Sequence, residues 1–168
     1  MTLPDSSPEP LPLEAQVGER LRARGLTLTV AESSTGGLIA ERLTDISGSS
    51  AYMIGGVIAY ADLVKVQLLG VQDETLRAHG AVSAPVAQQM AEGARTLLRT
   101  DLAISVTGIA GPTGGTATKP VGLHFVGLSA AEGAWVRRHV LAGDRRSVRY
   151  AAADAALHLL LDYLDEKL

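Results

Sequence analysis

The sequence predicts an α/β protein: a three-layer α/β/α sandwich built on a mostly parallel mixed sheet, with one late antiparallel hairpin. Three observations carry that expectation. Short apolar runs of strand character alternate along the chain with segments whose apolar residues recur at helical spacing. Gly, Pro and Ser punctuate the boundaries between them. Only the last two strand-like runs are joined directly, by Ala131-Glu132-Gly133, which reads as a hairpin. With 168 residues, 46% of them hydrophobic, the chain is expected to form one domain, over 13–168, with an adequate core.

The elements follow in order. Residues 1–12 are Pro-rich and acidic and read as a disordered lead, without the basic end or apolar run of a signal peptide. Leu13, Val17 and Leu21 form the stripe of a first helix that stops at Gly25. A strand over 26–30 leads through a Ser-Ser-Thr-Gly-Gly turn into a helix over 35–46. The apolar run 52–60 is a second strand, whose Gly55-Gly56 pair suggests a bulge or a close backbone approach. Short helices over 61–69 and 73–79 end at Gly70 and Gly80. Ser83 is placed as the N-cap, and Pro85 in the first turn, of a helix with Val86, Met90, Ala94 and Leu97 on one face. Residues 101–106 read as a fully buried strand, 121–128 and 135–141 as the hairpin strands. Asp144 opens the last helix, with Val148, Ala152, Ala155, Leu159 and Tyr163 inward.

Composition narrows the function. A net charge of −3, a pI near 5.8 and the absence of any Lys/Arg block argue against a nucleic-acid surface, and 4% aromatic residues argue against base-stacking platforms. The chain has no cysteine, which excludes disulfides, thiolate metal sites and a Cys nucleophile and fits a cytoplasmic protein. No apolar run is long enough to span a membrane. His79, His124, His139 and His158 lack metal-ligand spacing and the arrangement of a Ser-His-Asp triad, so no metal is expected.

In open α/β sheets, sites form where strands end at their carboxyl edge. Three loops leave strands that way: 33–37, the segment beginning at Tyr60, and 107–115. The first crowds Ser33, Ser34, Thr35, Gly36 and Gly37 onto the turn before a helix, where unpaired backbone N–H groups and the helix dipole favour an anion. Capping needs only one hydroxyl; local spacing leaves capping and catalysis equally open. The Gly-rich segment with Thr107, Gly108 and Gly111 is neither a P-loop nor a G-x-G-x-x-G motif; its backbone can approach a ligand or simply cross over. Lys65 lies in a short helix among Leu63, Val64, Val66 and Leu68, where a lone lysine is ordinarily solvated; the alternative is a desolvated general base to a serine. As a general base it would need its ordinary pKa of about 10.4 lowered to about 7–8, which demands burial or a nearby cation. Arg145 and Arg146 sit in the first turn of the last helix, where the dipole disfavours cations; a bound anion would explain one, and solvation would accommodate both. Glu32, Asp62 and Asp144 form no recognisable acid/base pair and are expected on the surface.

Taken in order, Ala31-Glu-Ser-Ser-Thr-Gly-Gly37, Gly48-Ser-Ser50, Tyr60 with Lys65, Gly80-Ala-Val-Ser83, Thr107-Gly-Ile-Ala-Gly-Pro112 and Lys119-Pro-Val-Gly122 resemble the CinA C-terminal domain family. The resemblance spans nearly the whole chain and looks like the family's stand-alone form. It implies a nicotinamide-nucleotide amidase that hydrolyses the carboxamide of nicotinamide mononucleotide without a cofactor. Implied roles are Ser33 as nucleophile, Lys65 as base and Tyr60 as relay or orienting group. Ser34 stands where relatives commonly carry Cys, which directs the nucleophile role to Ser33. The implied substrate contacts are Ser34, Thr35, Gly36, Gly37, Thr107, Gly108, Gly111, Arg145 and Lys119; Thr118 replaces an expected Glu before Lys119. The implied partner is a small pyridine nucleotide, with no nucleic acid or membrane, and the apolar run from Tyr52 to Val57 suits a homo-oligomer interface. The family's competence-linked name keeps a second reading in view, a non-catalytic nucleotide-binding or regulatory module.

Overall fold

The computed structural model describes residues 10–168, so most of the expected lead over 1–12 lies outside the described residues. The elements run α1 (Leu13–Arg24), β1 (Leu28–Glu32), α2 (Leu38–Thr44), a 3-10 turn (Ser49–Ala51), β2 (Met53–Ile58), α3 (Asp62–Leu69), α4 (Asp73–His79), α5 (Ala84–Leu98), β3 (Leu102–Gly108), β4 (Leu123–Ala130), β5 (Gly133–Val140) and α6 (Arg145–Leu164). The strands form one sheet in the order β2-β1-β3-β4-β5. β1 pairs in parallel with β2 and β3, and the β3–β4 and β4–β5 pairs are antiparallel. Only β4 therefore opposes the other four strands, as the mostly parallel sheet with a late hairpin requires.

The two faces of the sheet differ in side-chain size, which sets the layers. Leu102, Ile104 and Val106 of β3 join Leu28 and Val30 of β1 in a large core beneath α1, α2 and α6. The alternate residues of β3 are small: Ala103 packs under α5, and Ser105 donates its hydroxyl to the carbonyl of Ala87 at 2.6 Å. Gly127 of β4 continues that shallow surface, since a Cβ there would lie 2.7 Å from Ala87 O. α5 thus lies close to the sheet, and Leu69, Val71, Val86, Met90 and Ala94 complete a second core on that side.

Several boundaries differ from the sequence expectation, each for a local reason. β1 runs two residues later than expected and includes Glu32. α2 opens at Leu38 and ends at Thr44, because Gly36 and Gly37 adopt φ values of +62° and +102° and hold the preceding residues in a turn. Both expectations for the Gly55-Gly56 pair are met. The register steps from Leu28–Met53 to Thr29–Gly55, leaving Ile54 as the extra residue of a bulge, and a Cβ at Gly56 would lie 2.6 Å from Val30 Cγ2. Ser83 stands at the N-cap position of α5, but its hydroxyl donates to Gly80 O at 2.8 Å and does not cap the helix. Leu97, expected inward, is exposed, and Ala87 and Ala91 complete the inner face. In α6, Val148, Ala152 and Leu159 are buried as expected, while Ala155 and Tyr163 are half-buried.

Candidate active site

A cleft of about 280 Å³ opens at the carboxyl edge of β1, β2 and β3. It is lined by the three loops that leave those strands, with Ala81, Val82 and Arg145 completing the wall. A larger hollow of about 440 Å³ between α3, α4 and α5 is bordered by Leu68, Leu97, Gln72, Gln89 and Glu92, with no Lys or Arg among its lining residues.

The serine turn over 33–37 is held from both sides. Ser33 N–H donates to Val106 O at 3.0 Å, which ties the start of the turn to β3, and Gly36 N–H closes back on Ser33 O at 3.1 Å. Glu32 is buried at the base, only 1% exposed, in contrast to its expected surface position. Its carboxylate accepts from the backbone nitrogens of Gly37 and Ile39 at 3.0 and 3.1 Å and of Ala40 at 2.9 Å. The N-terminus of α2, expected to face an anionic ligand, is therefore occupied from within by a protein carboxylate. Ser33 and Ser34 line the cleft, whereas Thr35, Gly36 and Gly37 lie outside its lining. The hydroxyls of Ser34 and Thr35 are buried and have no hydrogen-bond partner among the described residues.

Arg149 grips the other side of this turn. Its Nε and Nη2 donate to the carbonyls of Ser34 and Thr35 at 3.1 and 2.6 Å. Sequence reasoning missed it, although it lies four residues beyond Arg145 and therefore on the same side of the helix.

Lys65 is 1% exposed, because it shares the core-facing side of α3 with Leu69 one turn later. Its ammonium donates to Tyr60 O and to Asp62 Oδ1, each at 3.2 Å. Asp62 is 59% exposed, so the pair joins a buried cation to a solvated anion. Two of the three Lys65 N–H donors are used in this way. Tyr60 is exposed at the rim, and its hydroxyl accepts from Arg145 Nη2 at 3.2 Å. Arg145 Nη1 donates to Gly111 O at 2.8 Å, so one guanidinium links the second and third loops.

Thr107, Gly108 and Gly111 all lie on the cleft wall. The Thr107 hydroxyl donates to Ala81 O at 2.8 Å and fixes the neighbouring wall segment. Gly108 lies flat against the His124 ring; a Cβ would come within 2.1 Å of His124 Cδ2. His124 is fully buried, with Nδ1 3.0 Å from Gly122 O, and burial holds its pKa below the usual histidine range. Lys119 does not join the lining: its ammonium donates to His79 O, tying the Gly-rich segment to the end of α4.

Residues 11–164 match the sequence model of the CinA C-terminal domain family. The chain belongs to that family. It is 52% identical over 153 residues to a CinA-like protein of Syntrophus aciditrophicus, covering 90% of this chain and 36% of that protein. The chain thus spans little more than a third of such longer relatives. It is 48% identical over 153 residues to the nicotinamide-nucleotide amidohydrolase PncC of Escherichia coli K12, covering 90% of this chain and 93% of that protein. Among solved structures, the competence/damage inducible protein CihA from Agrobacterium tumefaciens superposes with a TM-score of 0.85 at 41% identity, covering 95% of this chain and 99% of that one. The likeness in fold therefore extends across nearly the whole CinA-family chain. No helix of the described residues is long and apolar enough to cross a membrane.

Proposed function

We propose that this chain hydrolyses the carboxamide of nicotinamide mononucleotide to give nicotinate mononucleotide and ammonia, with Ser33 as nucleophile and Lys65 as base. One observation carries the reading: a single cleft gathers a serine on a pinned turn, a fully buried lysine, glycine-rich backbone and an arginine. The similarity to PncC over nearly its full length supports the choice of substrate.

With Lys65 in its neutral amine form, Ser33 Oγ attacks the carboxamide carbon as its proton passes to that amine, giving a tetrahedral oxyanion. With the α2 terminus filled by Glu32, the oxyanion falls to the backbone N–H groups of the cleft wall, those of Ser34 and Gly108 first. Lys65 returns the proton to the departing nitrogen, and ammonia leaves a nicotinoyl ester on Ser33. Water gives a proton to Lys65 as it attacks the ester carbonyl, and Lys65 passes that proton to Ser33 Oγ as nicotinate mononucleotide leaves. Tyr60, whose hydroxyl is held by Arg145, orients the carboxamide, and the Arg145 charge faces the substrate phosphate. The unpartnered Ser34 hydroxyl supplies a further polar contact.

One observation favours the alternative of a binding module: the Lys65 ammonium is already engaged by Asp62 and the Tyr60 carbonyl. Incubation with nicotinamide mononucleotide and measurement of released ammonia separates the two. Ammonia at multiple turnovers, absent with Ser33→Ala, supports the amidase; binding without ammonia release rejects it.

A further inference from the structure

We propose that Arg149 is a positioning residue for the nucleophile turn, a role that rests on the assignment of Ser33 as nucleophile. Arg149 lies outside the cleft lining. Among the described residues it forms no ion pair; its guanidinium is spent on two successive backbone carbonyls, those of Ser34 and Thr35, more than a hundred positions earlier in the chain.

The consequence follows from peptide geometry. A trans peptide is planar, so its C=O and the following N–H point in opposite directions. Fixing Ser34 C=O fixes the direction of Thr35 N–H, and fixing Thr35 C=O does the same for Gly36 N–H, which closes onto Ser33 O at 3.1 Å. The two peptide planes after Ser34 are thereby locked, while the N–H of Ser33 is anchored on Val106. Ser33 is left with little backbone freedom on either side.

Arg149 also completes a larger device. Arg145, one helical turn earlier, binds Gly111 O and the Tyr60 hydroxyl. The first turns of α6 therefore hold all three strand-end loops: the serine turn through Arg149, and the Tyr60 and glycine-rich loops through Arg145. Their mutual placement is set by one rigid element.

The test compares purified Arg149→Met, Arg149→Lys and Ser33→Ala with the unaltered chain, measuring kcat and KM for ammonia release from nicotinamide mononucleotide together with thermal midpoints. Arg149→Met is expected to lose about 10²-fold in kcat, the scale of a small misplacement of reacting groups, with KM within about twofold. Millimolar guanidinium is expected to restore part of that loss. Arg149→Lys keeps the charge without the planar fork and is expected to fall between the two. Unchanged kcat in a folded Arg149→Met, or a rise in KM alone, overturns the proposal. Should Arg149→Met fail to fold, Arg149→Lys decides: full kcat overturns the proposal, and reduced kcat at unchanged KM upholds it. Activity retained by Ser33→Ala rejects the serine assignment and the positioning role with it. An inactive Ser33→Ala beside a fully active Arg149→Met rejects the positioning role alone.

Discussion

The Glu32 carboxylate sits 3.0 Å from the backbone nitrogen of Gly37 and fills the helix terminus that the serine turn leads into. A buried carboxylate accepting three backbone N–H groups is a strong local anchor. Glu32→Gln keeps the shape but replaces one accepting oxygen by a donor facing donors. We expect a loss of about 2–4 kcal/mol and, at roughly 2–4 °C per kcal/mol, a fall of the thermal midpoint by about 5–15 °C. A midpoint within a degree of the unaltered chain, by circular dichroism, would show that the anchor is dispensable.

Lys65→Met separates chemistry from stability. The anion left behind, Asp62, is 59% exposed and returns to water at little cost, while methionine suits the buried path of the lysine stem. The variant is expected to fold with an unchanged or raised midpoint and to lose about 10²–10⁴-fold in kcat. Full ammonia release by the folded variant removes Lys65 from the mechanism.

Arg145→Ala tests the phosphate contact. Loss of a charged hydrogen bond worth about 1.5–3 kcal/mol corresponds to a KM increase of about 10–150-fold for the mononucleotide. The phosphate-free riboside should be affected far less. A fall in kcat alone, equal for both substrates, would reassign Arg145 to holding Tyr60 and Gly111.

Stability should decline on mild acidification. Burial lowers the pKa of His124, aided by neighbouring His139, and burial likewise lowers that of His139, aided by Arg137. The unfolded chain then binds protons below its ordinary value of about 6.5 while the folded chain does not, so the contribution is intact above that pH and is lost as pH falls toward the folded values. His124→Phe preserves a flat ring beside Gly108, and Gly122 O keeps its bond from Leu141 N. Thermal melts between pH 7 and pH 5 should show a smaller decline for this variant; an identical decline would locate the sensitivity elsewhere.

Much of the architecture was legible because it depends on local pattern: the continuous apolar run of β3 and the short link between β4 and β5 are written in neighbouring residues. The cleft was legible as three loops because strand direction places them at one edge. What escaped depends on contacts between distant segments. Glu32 reads locally as a polar residue entering a turn, yet it extends β1 and buries its carboxylate beneath α2. Arg149 reads as one more charge on the first turns of α6, and only the path of the serine turn reveals two carbonyls within its reach. Lys119 joined the expected contacts through its motif, but its reach to His79 follows from how the glycine-rich segment crosses the end of α4.

Gly93 carries a consequence for any redesign of this cleft. A Cβ there would lie 1.7 Å from the carbonyl oxygen of Leu69, one turn beyond Lys65. Gly93 thus sets how closely α5 packs against α3, the helix that carries Lys65, although position 93 lies outside the lining of the cleft. Efforts to widen substrate range by mutating the visible walls leave this spacer untouched, whereas a single methyl at position 93 would have to part α5 from α3, the helix that carries Lys65.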